Sequence, residues 1–466
     1  MAKSAGEQKT KWVHLIGVVG VTMAPVAAEF KRLGWFVTGS DKGFFPPMST
    51  YLIDKNITVE VGFREEHLTK KYYKGKLGGR FIENVGEKPD LIVLGNAIAS
   101  KNPELLFAQK NKLVIRSFPE ILEEYEILKG KSVVVVGTFA KTTTTGLLVH
   151  IFQTAKKDIS YMIGALTNEI EDGVRFKDAN TQWSITEGDE YVSSIFDQRS
   201  KFFHYHPDYL VLTSAQLDHT DVYPTEEDYI NNFKKLVESV PQNGLIVASK
   251  NGKNVDKVIE NAKAKVIFYE YDEQSFEFEE KLVGRHNREN IVAAATLARN
   301  LDIPSEAIKK AVSTFTGVKR RLEVKLNVND TVVIDDFGST PAKAPSSIEA
   351  VKTEFKGYKI YVIFEPNAGS RTEEAVPLYE NVFMNANEVI IPRLSTIKAR
   401  EGEKRLGGKE LMEVIKKTHK KALYFPDDEA LLEYVSKLKG KKVILFMGSH
   451  GFRGMIEKTV SLLSTK

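Results

Sequence analysis

The sequence predicts an α/β protein of several domains with mostly parallel sheets. Strand-like apolar runs alternate with amphipathic, helix-like runs almost throughout, which is the pattern of strand–helix–strand units. At 466 residues the chain exceeds what one hydrophobic core serves, so about two to four domains are expected. A hydrophobic content of 42% with 27% charged residues is that of a folded globular chain rather than a disordered one. No short repeat suggests a solenoid.

In chain order, the first block runs from about residue 11 to 128. Val13–Ile16 is a short apolar run suited to a strand, Met23–Leu33 has helical spacing, and Phe36–Gly39 and Leu91–Leu94 are further strands. The second block, about 129 to 321, opens on the valine run Val133–Val136. Ser184–Glu187 and Tyr209–Thr213 read as buried strands, Glu226–Val237 as an amphipathic helix and His286–Leu301 as an Ala-rich helix. The third block, about 322 to 466, has strands at Val332–Asp335, Ile360–Phe364 and Val443–Met447, and helices at Pro341–Phe355 and Asp427–Leu438.

The charge balance, 66 basic against 62 acidic residues, is mixed along the chain with no arginine-rich tract, so no nucleic-acid partner is indicated. Small lysine groups such as Lys70, Lys71, Lys74 and Lys76 read as solvated faces. The absence of cysteine excludes disulfides, thiolate metal sites and thiol catalysis. The polar N-terminus is not a secretory signal, and no run of about 18 apolar residues predicts a membrane span. The expectation is a cytoplasmic enzyme with no membrane partner; nothing in the sequence indicates its oligomeric state.

Val133–Thr145 reads VVVVGTFAKTTTT: a strand, a Gly turn, a Lys-Thr pair and a helix start. A helix opening there turns backbone N–H groups and the positive end of its dipole toward an anion. The string resembles the phosphate-binding loop of nucleotide-hydrolysing proteins. On that reading Gly137 and Thr138 form the turn, Lys141 reaches the outer phosphates of ATP, and Thr142 and Thr143 open the helix, with the Thr142 hydroxyl on Mg²⁺. Ala140 stands where Gly is usual; a positive φ there costs about 1 kcal/mol.

Other candidates lie at strand ends. Ligands of an open parallel sheet gather outside the carboxyl ends of its strands. Lys141, Glu187 and His219 are therefore expected in one crevice, with Thr142, Glu187 and His219 as metal ligands and Lys141 and His219 as catalytic groups. Magnesium prefers oxygen, so the imidazole is the less expected ligand, and a structural histidine is the alternative. His286 and Asn290, four apart, share a helix face, and an Asn amide pairs with an adenine edge by donating and accepting at once. Arg321 is either a phosphate clamp or part of a surface basic cluster. Asp336, in a strand-end acid pair, either holds a ribose or lies in a solvated turn. Gly17 and Gly20 either let a phosphate approach the backbone or only close a tight turn. Ser40-Asp41 lies just past the second strand, near where dinucleotide folds place a ribose-binding acid.

Taken together these segments resemble the Mur ligase family over essentially the whole chain. GTFAKTTTT is similar to the family's phosphate loop, ITEGDE to its metal-binding acid segment, LDHTD to its metal-binding histidine segment, GRHNREN to its adenine-binding helix start, GVKRRLE to its inter-domain arginine segment and DDFGSTP to a segment of its third domain. The resemblance implies a three-domain architecture: a Rossmann-like UDP-binding domain at 1–128, a P-loop ATPase-like central domain at 129–321 and a Rossmann-like C-terminal domain at 322–466. It implies ATP and Mg²⁺ as cofactors, and roles in nucleotide binding or transfer for Gly137, Thr138, Lys141, Thr142, Thr143, His286, Asn290, Arg321 and Asp336. It implies UDP-N-acetylmuramate and a short peptide or amino acid as substrates, joined by an amide bond through an acyl phosphate. Longer strings, GSDKGFFPPMSTYL, GNAIASKNPE and EGDEYVSSIFDQRSKFFHY, resemble the branch that adds L-alanyl-γ-D-glutamyl-meso-diaminopimelate in peptidoglycan recycling. They add Asn96, Arg199 and Lys201 to Gly17, Gly20, Ser40 and Asp41 as substrate-binding candidates. The alternatives are a ligase that adds L-alanine and a nucleotide-binding homologue with weakened catalysis.

The chain departs from the family pattern in five segments. Phe139 and Ala140 replace the phosphate loop's His and Gly, and Ser214 and Gln216 an Asn and a Glu. Ser339 and Thr340 replace a His pair, Asn367 an Arg, and His450 an Asn. Arg371, four residues beyond Asn367, is the candidate to supply the missing arginine. These changes imply either a different peptide substrate or weaker ATP turnover.

Overall fold

The computed structural model describes residues 9–77, 84–219, 222–282, 284–367, 369–395, 405–448 and 451–464. The chain divides into two compact units: Met1–Glu280 with Glu289–Phe315, and Lys281–Arg288 with Thr316–Lys466. The first unit contains two sheets and the second contains one.

The N-terminal sheet runs Thr58–Val61, Phe36–Asp41, Trp12–Ile16, Leu91–Leu94, Ile115–Ser117, all parallel. Trp12–Ile16 is central and buried at every position, so its residues are apolar on both faces except His14, whose ring is satisfied by the Thr38 hydroxyl at 2.8 Å. The second strand continues to Asp41, so Ser40 and Asp41 sit in its last turn of pleat rather than beyond it. Helix Met23–Arg32 buries Ala24, Val26, Ala27 and Phe30.

The larger sheet runs Lys265–Tyr269, Leu245–Ser249, Tyr209–Leu212, Ser132–Val136, Trp183–Gly188, Ile159–Met162, Val174–Arg175, with only the last pair antiparallel. The valine run is its fully buried central strand. The two sheets of this unit share one core: Phe30 packs on Tyr125 and Phe176 with ring centroids 5.2 Å apart, and the Glu29 carboxylate accepts the Phe176 N–H at 2.7 Å.

Glu126 lies buried in that core and accepts the Thr186 hydroxyl at 2.8 Å. Burial pushes its carboxyl up to about 8, against weaker opposing pulls from Thr186 and Lys177. The folded state therefore keeps a proton that the unfolded chain releases near its ordinary value of about 4. Stability from this group is full below that value and is lost as pH rises toward 8. Glu126→Gln, which cannot ionise, is expected to flatten that decline; thermal midpoints across the same pH range measure it.

The second unit's sheet runs Glu323–Val328, Thr331–Asp336, Lys442–Gly448, Lys359–Glu365, Glu388–Ile391, Ala422–Tyr424, with only the first pair antiparallel. The helix expected from Pro341 begins at Ala344, because the N–H groups of Lys343 and Ala344 both return to the Thr340 carbonyl in a preceding turn. No helix among the described residues is long and apolar enough to cross a membrane.

Candidate active site

The site is built where the central strand Ser132–Val136 ends. The chain turns through Gly137 at φ +136° and Ala140 at φ +69°, and helix Lys141–Thr154 begins. A Cβ at Gly137 would collide with Thr213 Oγ1 and the backbone of Ser214, so only glycine fits there. The Thr138 hydroxyl donates to the Gln216 carbonyl at 2.6 Å and lies 3.1 Å from the Tyr229 hydroxyl, while its N–H goes to the Ser214 carbonyl. Ser214 and Gln216, both departures from the family pattern, thus brace the loop through their backbones. Ala140 occupies the left-handed region and carries a strain of about 1 kcal/mol. Relief of that strain by Ala140→Gly is partly offset by glycine's extra unfolded-state entropy. The variant is expected to gain less than about 1 kcal/mol in denaturant unfolding, with little change in turnover; a rise of tenfold or more would favour the weakened-homologue reading.

The Lys141 ammonium donates to the Gly137 carbonyl at 2.6 Å and to Glu190 Oε2 at 2.8 Å. Burial pulls its pKa down, but Glu190 and Asp189 outweigh that and the net shift is upward, so the cation is held charged. Thr142 Oγ1 donates to Glu187 Oε1 at 3.0 Å, and the Gly164 N–H donates to the other Glu187 oxygen at 2.8 Å. Burial raises the Glu187 carboxyl, with Lys141 pulling against it. Thr143 is buried in the helix's first turn.

Beyond Glu187 the strand's end supplies two further acids. Glu190 is buried, and it accepts from Lys141 on one oxygen and from the Tyr229 hydroxyl at 3.1 Å on the other. Asp189 accepts from Lys201 at 2.5 Å; burial opposes its ionisation, but Lys201 and Lys141 hold its pKa below the usual value. His219 stands at φ +55° with its ring edge-on to Tyr191, and its Nε2 lies 3.8 Å from Glu190. Asp189, Glu190 and His219 each offer a ligand atom within 4.8 Å of the others. Of the expected metal ligands, Thr142 and Glu187 are paired with each other, and His219 lies with Asp189 and Glu190, two acids not among those expected. The missed signal was the EGDE string itself, three acids in four residues at a strand end.

The N-terminal sheet brings its candidates to its own carboxyl edge. Gly17 has φ +88°, so glycine is required there for the turn itself. The N–H groups of Gly17 and Val18 both donate to the Ser40 carbonyl at 2.8 and 3.1 Å, and the Val19 N–H donates to Asp41 Oδ2 at 2.9 Å. These donors shape the turn up to Gly20 and are not aimed at a phosphate. The Ser40 hydroxyl donates to buried Glu104 at 2.5 Å. Asn96, in the loop after strand Leu91–Leu94, donates through its amide nitrogen to the carbonyls of Val192 and Ser193 at 2.9 and 3.3 Å. Lys201 ties back to Asp189, and Arg199 forks onto Asp197 at 2.7 Å. The segment from Asp189 to Lys201 therefore touches the phosphate-loop lysine at one end and the N-terminal sheet's ligand edge in its middle.

In the second unit Arg320, not Arg321, is committed: it donates to Asp335 at 3.2 Å and to the Gly448 carbonyl at 2.6 Å. Burial pushes the Asp335 carboxyl up to about 6 despite Arg320. Arg321 is exposed over the Phe337 ring at 5.6 Å. Asp336 is buried and accepts the Ser347 hydroxyl at 2.6 Å. Arg371 is also buried, donating to the carbonyls of Leu406 and Ser395 at 3.2 and 2.8 Å. Its guanidinium braces loops instead of supplying a free arginine beside Asn367. Asn367 and Ser339, two departures from the family pattern, are joined by a 3.1 Å backbone hydrogen bond. His286 is exposed near the start of helix Arg285–Asn300, one turn before buried Asn290. His450 lies outside the described residues.

A parallel sheet whose central strand feeds a lysine-bearing phosphate loop, with carboxylates gathered at the neighbouring strand end, defines a nucleotide-dependent phosphoryl-transfer enzyme. Three family models cover the chain: the Mur ligase family catalytic domain at residues 12–126, the Mur ligase middle domain at 135–277 and the Mur ligase glutamate ligase domain at 320–450. The chain belongs to the Mur ligase family, whose members are ATP-dependent ligases that form C–N bonds. It is 27% identical to the UDP-N-acetylmuramate–L-alanyl-γ-D-glutamyl-meso-2,6-diaminoheptandioate ligase of Haemophilus influenzae, over 77% of this chain and 80% of that one. It is 28% identical to a UDP-N-acetylmuramate–L-alanine ligase of Clostridium acetobutylicum, over 94% and 95%. The crystal structure of a UDP-N-acetylmuramate–alanine ligase from Thermotoga maritima superimposes with a TM-score of 0.72 at 21% identity, covering 97% of this chain and 99% of that one.

Proposed function

We propose that the protein joins UDP-N-acetylmuramate to the peptide L-alanyl-γ-D-glutamyl-meso-diaminopimelate, in the cytoplasm, at the expense of ATP. In this reading residues 1–128 hold the UDP-sugar, 129–321 hold ATP and 322–466 bring the peptide. The observation that carries it is the segment Asp189–Lys201. It lies within one of the strings that resemble the peptide-adding branch, and it links Lys141 through Glu190 to the N-terminal sheet through Asn96. A sugar donor lying along that segment has its carboxylate beside the terminal phosphate of ATP.

The chemistry follows from a poor electrophile. A carboxylate has no leaving group, so one of its oxygens takes the terminal phosphoryl group of ATP and ADP departs. The amine of the acceptor then attacks the acyl carbon, the amide forms, phosphate leaves and the amine's proton is released. Lys141, held cationic by Glu190, offsets charge on the transferring group, and Arg321, exposed in its own unit, is the candidate to add to it. Asp189 and Glu190 offer the hard oxygens that Mg²⁺ prefers, beside the imidazole of His219, and Thr142 and Glu187 offer a second oxygen pair. A divalent cation there supplies charge neutralisation for the phosphates.

The longer alignment with an L-alanine ligase supports a second reading, in which the acceptor is L-alanine. Phosphate release with UDP-N-acetylmuramate, ATP and Mg²⁺ separates the two. The tripeptide is expected to give a kcat/KM at least about a hundredfold above that of L-alanine, the order that a site shaped to a larger acceptor reaches. The reverse ranking would establish the second reading, and no release with either would defeat both.

A further inference from the structure

Two hydroxyls that neither the nucleotide nor the metal assignment uses converge on Glu190. They belong to Tyr223 and Tyr229, whose rings meet edge-on with centroids 5.0 Å apart. Tyr229 stands in the first turn of helix Glu226–Ser239. Thr225 caps that helix by accepting the Asp228 N–H at 3.1 Å. Tyr229, Ile230, Phe233, Leu236 and Val237 are its buried residues, spaced as one side of a helix. The Tyr229 ring packs on Phe233 at 5.1 Å, and Phe233 on Phe202 at 5.5 Å. A capped and packed helix therefore delivers the phenol to one fixed point, fully buried.

At that point the hydroxyl stands between the phosphate loop and the acid that holds the loop's lysine. It donates to Glu190 Oε1 at 3.1 Å and lies 3.1 Å from the Thr138 hydroxyl. Thr138 sends its own proton to the Gln216 carbonyl at 2.6 Å. A carboxylate paired with a lysine only accepts, so the Tyr229 proton is the one that this Glu190 oxygen receives. Burial first, and the Glu190 charge second, push the Tyr229 phenol well above its ordinary value, so the group stays a donor. Tyr223 secures the main chain of the same acid. Its hydroxyl donates to the Glu190 carbonyl at 2.5 Å and receives the Asn232 amide at 2.8 Å.

The consequence lies in how Glu190 shares its charge. It gives Oε2 to Lys141 at 2.8 Å and Oε1 to Tyr229, with His219 Nε2 3.8 Å from that second oxygen. The Glu190 side chain is 1% exposed, so bulk solvent does not stand in for a missing donor. A buried carboxylate that loses one donor falls back on the partner it keeps, and that ion pair tightens. Without the Tyr229 hydroxyl, Glu190 draws the ammonium toward itself and away from an anion seated in the loop.

We propose that Tyr229 is a positioning residue of the phosphate loop: its hydroxyl takes up part of the Glu190 charge, braces that acid beside Thr138 and leaves the Lys141 ammonium able to reach the terminal phosphate of ATP. The inference rests on ATP seated in this loop, as proposed above, and is independent of which acceptor is used.

The test is calorimetric binding, to the whole chain with Mg²⁺, of ADP and of a non-hydrolysable ATP analogue. Tyr229→Phe removes one oxygen and keeps the ring that fills the core. It is expected to weaken the analogue about tenfold, the effect of one hydrogen bond to a charged group, while ADP changes by less than about twofold. A role confined to packing would weaken both nucleotides alike or neither, and either result would overturn the proposal. Glu190→Gln supplies a second measurement. A neutral amide at that position no longer competes for the lysine, so adding Tyr229→Phe to it is expected to cost the analogue less than about twofold. A full tenfold loss in that background would mean that Tyr229 acts without Glu190, against the proposal. Lys141→Ala separates the two levels. Should it weaken the analogue no more than ADP, the loop assignment itself falls, and the proposal with it.

Discussion

Lys141→Ala is expected to reduce turnover by about a hundredfold to a thousandfold while leaving the fold in place. The magnitude is that of removing a preorganised charge from a site where charge develops during transfer, about 3–4 kcal/mol in the barrier. The fold survives because the helix from Lys141 to Thr154 is held by the buried Leu147, Leu148, Ile151 and Phe152, not by the lysine. The variant also leaves Glu190 without its cation, and some loss of stability follows. Initial rates with saturating ATP, alongside far-ultraviolet circular dichroism, measure both. Turnover within tenfold of wild type would remove the phosphate-loop assignment.

Glu190→Ala is expected to have the second largest effect, on stability and activity together. Glu190 is the common partner of Lys141, the Tyr229 hydroxyl and His219, and its carbonyl accepts from Tyr223 at 2.5 Å. Removing one member of a buried ion pair leaves the other uncompensated, which costs about 3–5 kcal/mol when both are fully buried. The Lys141 side chain keeps 14% exposure, so the lower end, about 3 kcal/mol, applies. The Tyr229 hydroxyl also loses its carboxylate partner. Activity should fall by at least about a hundredfold, because the lysine loses the group that aims it. Glu190→Gln keeps the shape and the acceptor for Tyr229, and is expected to recover most of the stability but little of the activity. Equal recovery of both would mean that Glu190 is a packing residue and not part of the site.

The fold was legible where a strand is buried on both faces. Ser132–Val136, Trp12–Ile16 and Lys442–Gly448 are central parallel strands, and each reads as a mostly apolar run, broken only by His14 inside Trp12–Ile16 and opened by Ser132 and Lys442 in the other two. Edge strands such as Thr58–Val61 and Glu323–Val328 did not stand out, because solvent on one side admits Glu, Lys and Asn and blurs the apolar signal. The phosphate loop was legible because its backbone demands are severe: only glycine fits at Gly137, and a lysine that opens a helix has few structural uses. Partner choice was less legible. Asp189 and Glu190 stand two and three residues past Glu187, yet which acid meets Lys141 depends on how the chain turns after the strand. Arg371 illustrates the same limit from the other side. Its charge suggested a ligand, but the carbonyls that hold it come from 24 and 35 residues away, a distance no local pattern records.

The central claim is that the carboxylate of the sugar donor takes the terminal phosphoryl group of ATP before the amide forms. The most direct measurement uses donor carrying heavy oxygen in that carboxylate and follows the released phosphate by mass spectrometry. The account predicts one labelled oxygen in each phosphate released, because the bridging oxygen leaves with the phosphoryl group when the amine attacks. Phosphate released without label would mean that water, not the carboxylate, receives the phosphoryl group, and would contradict the account.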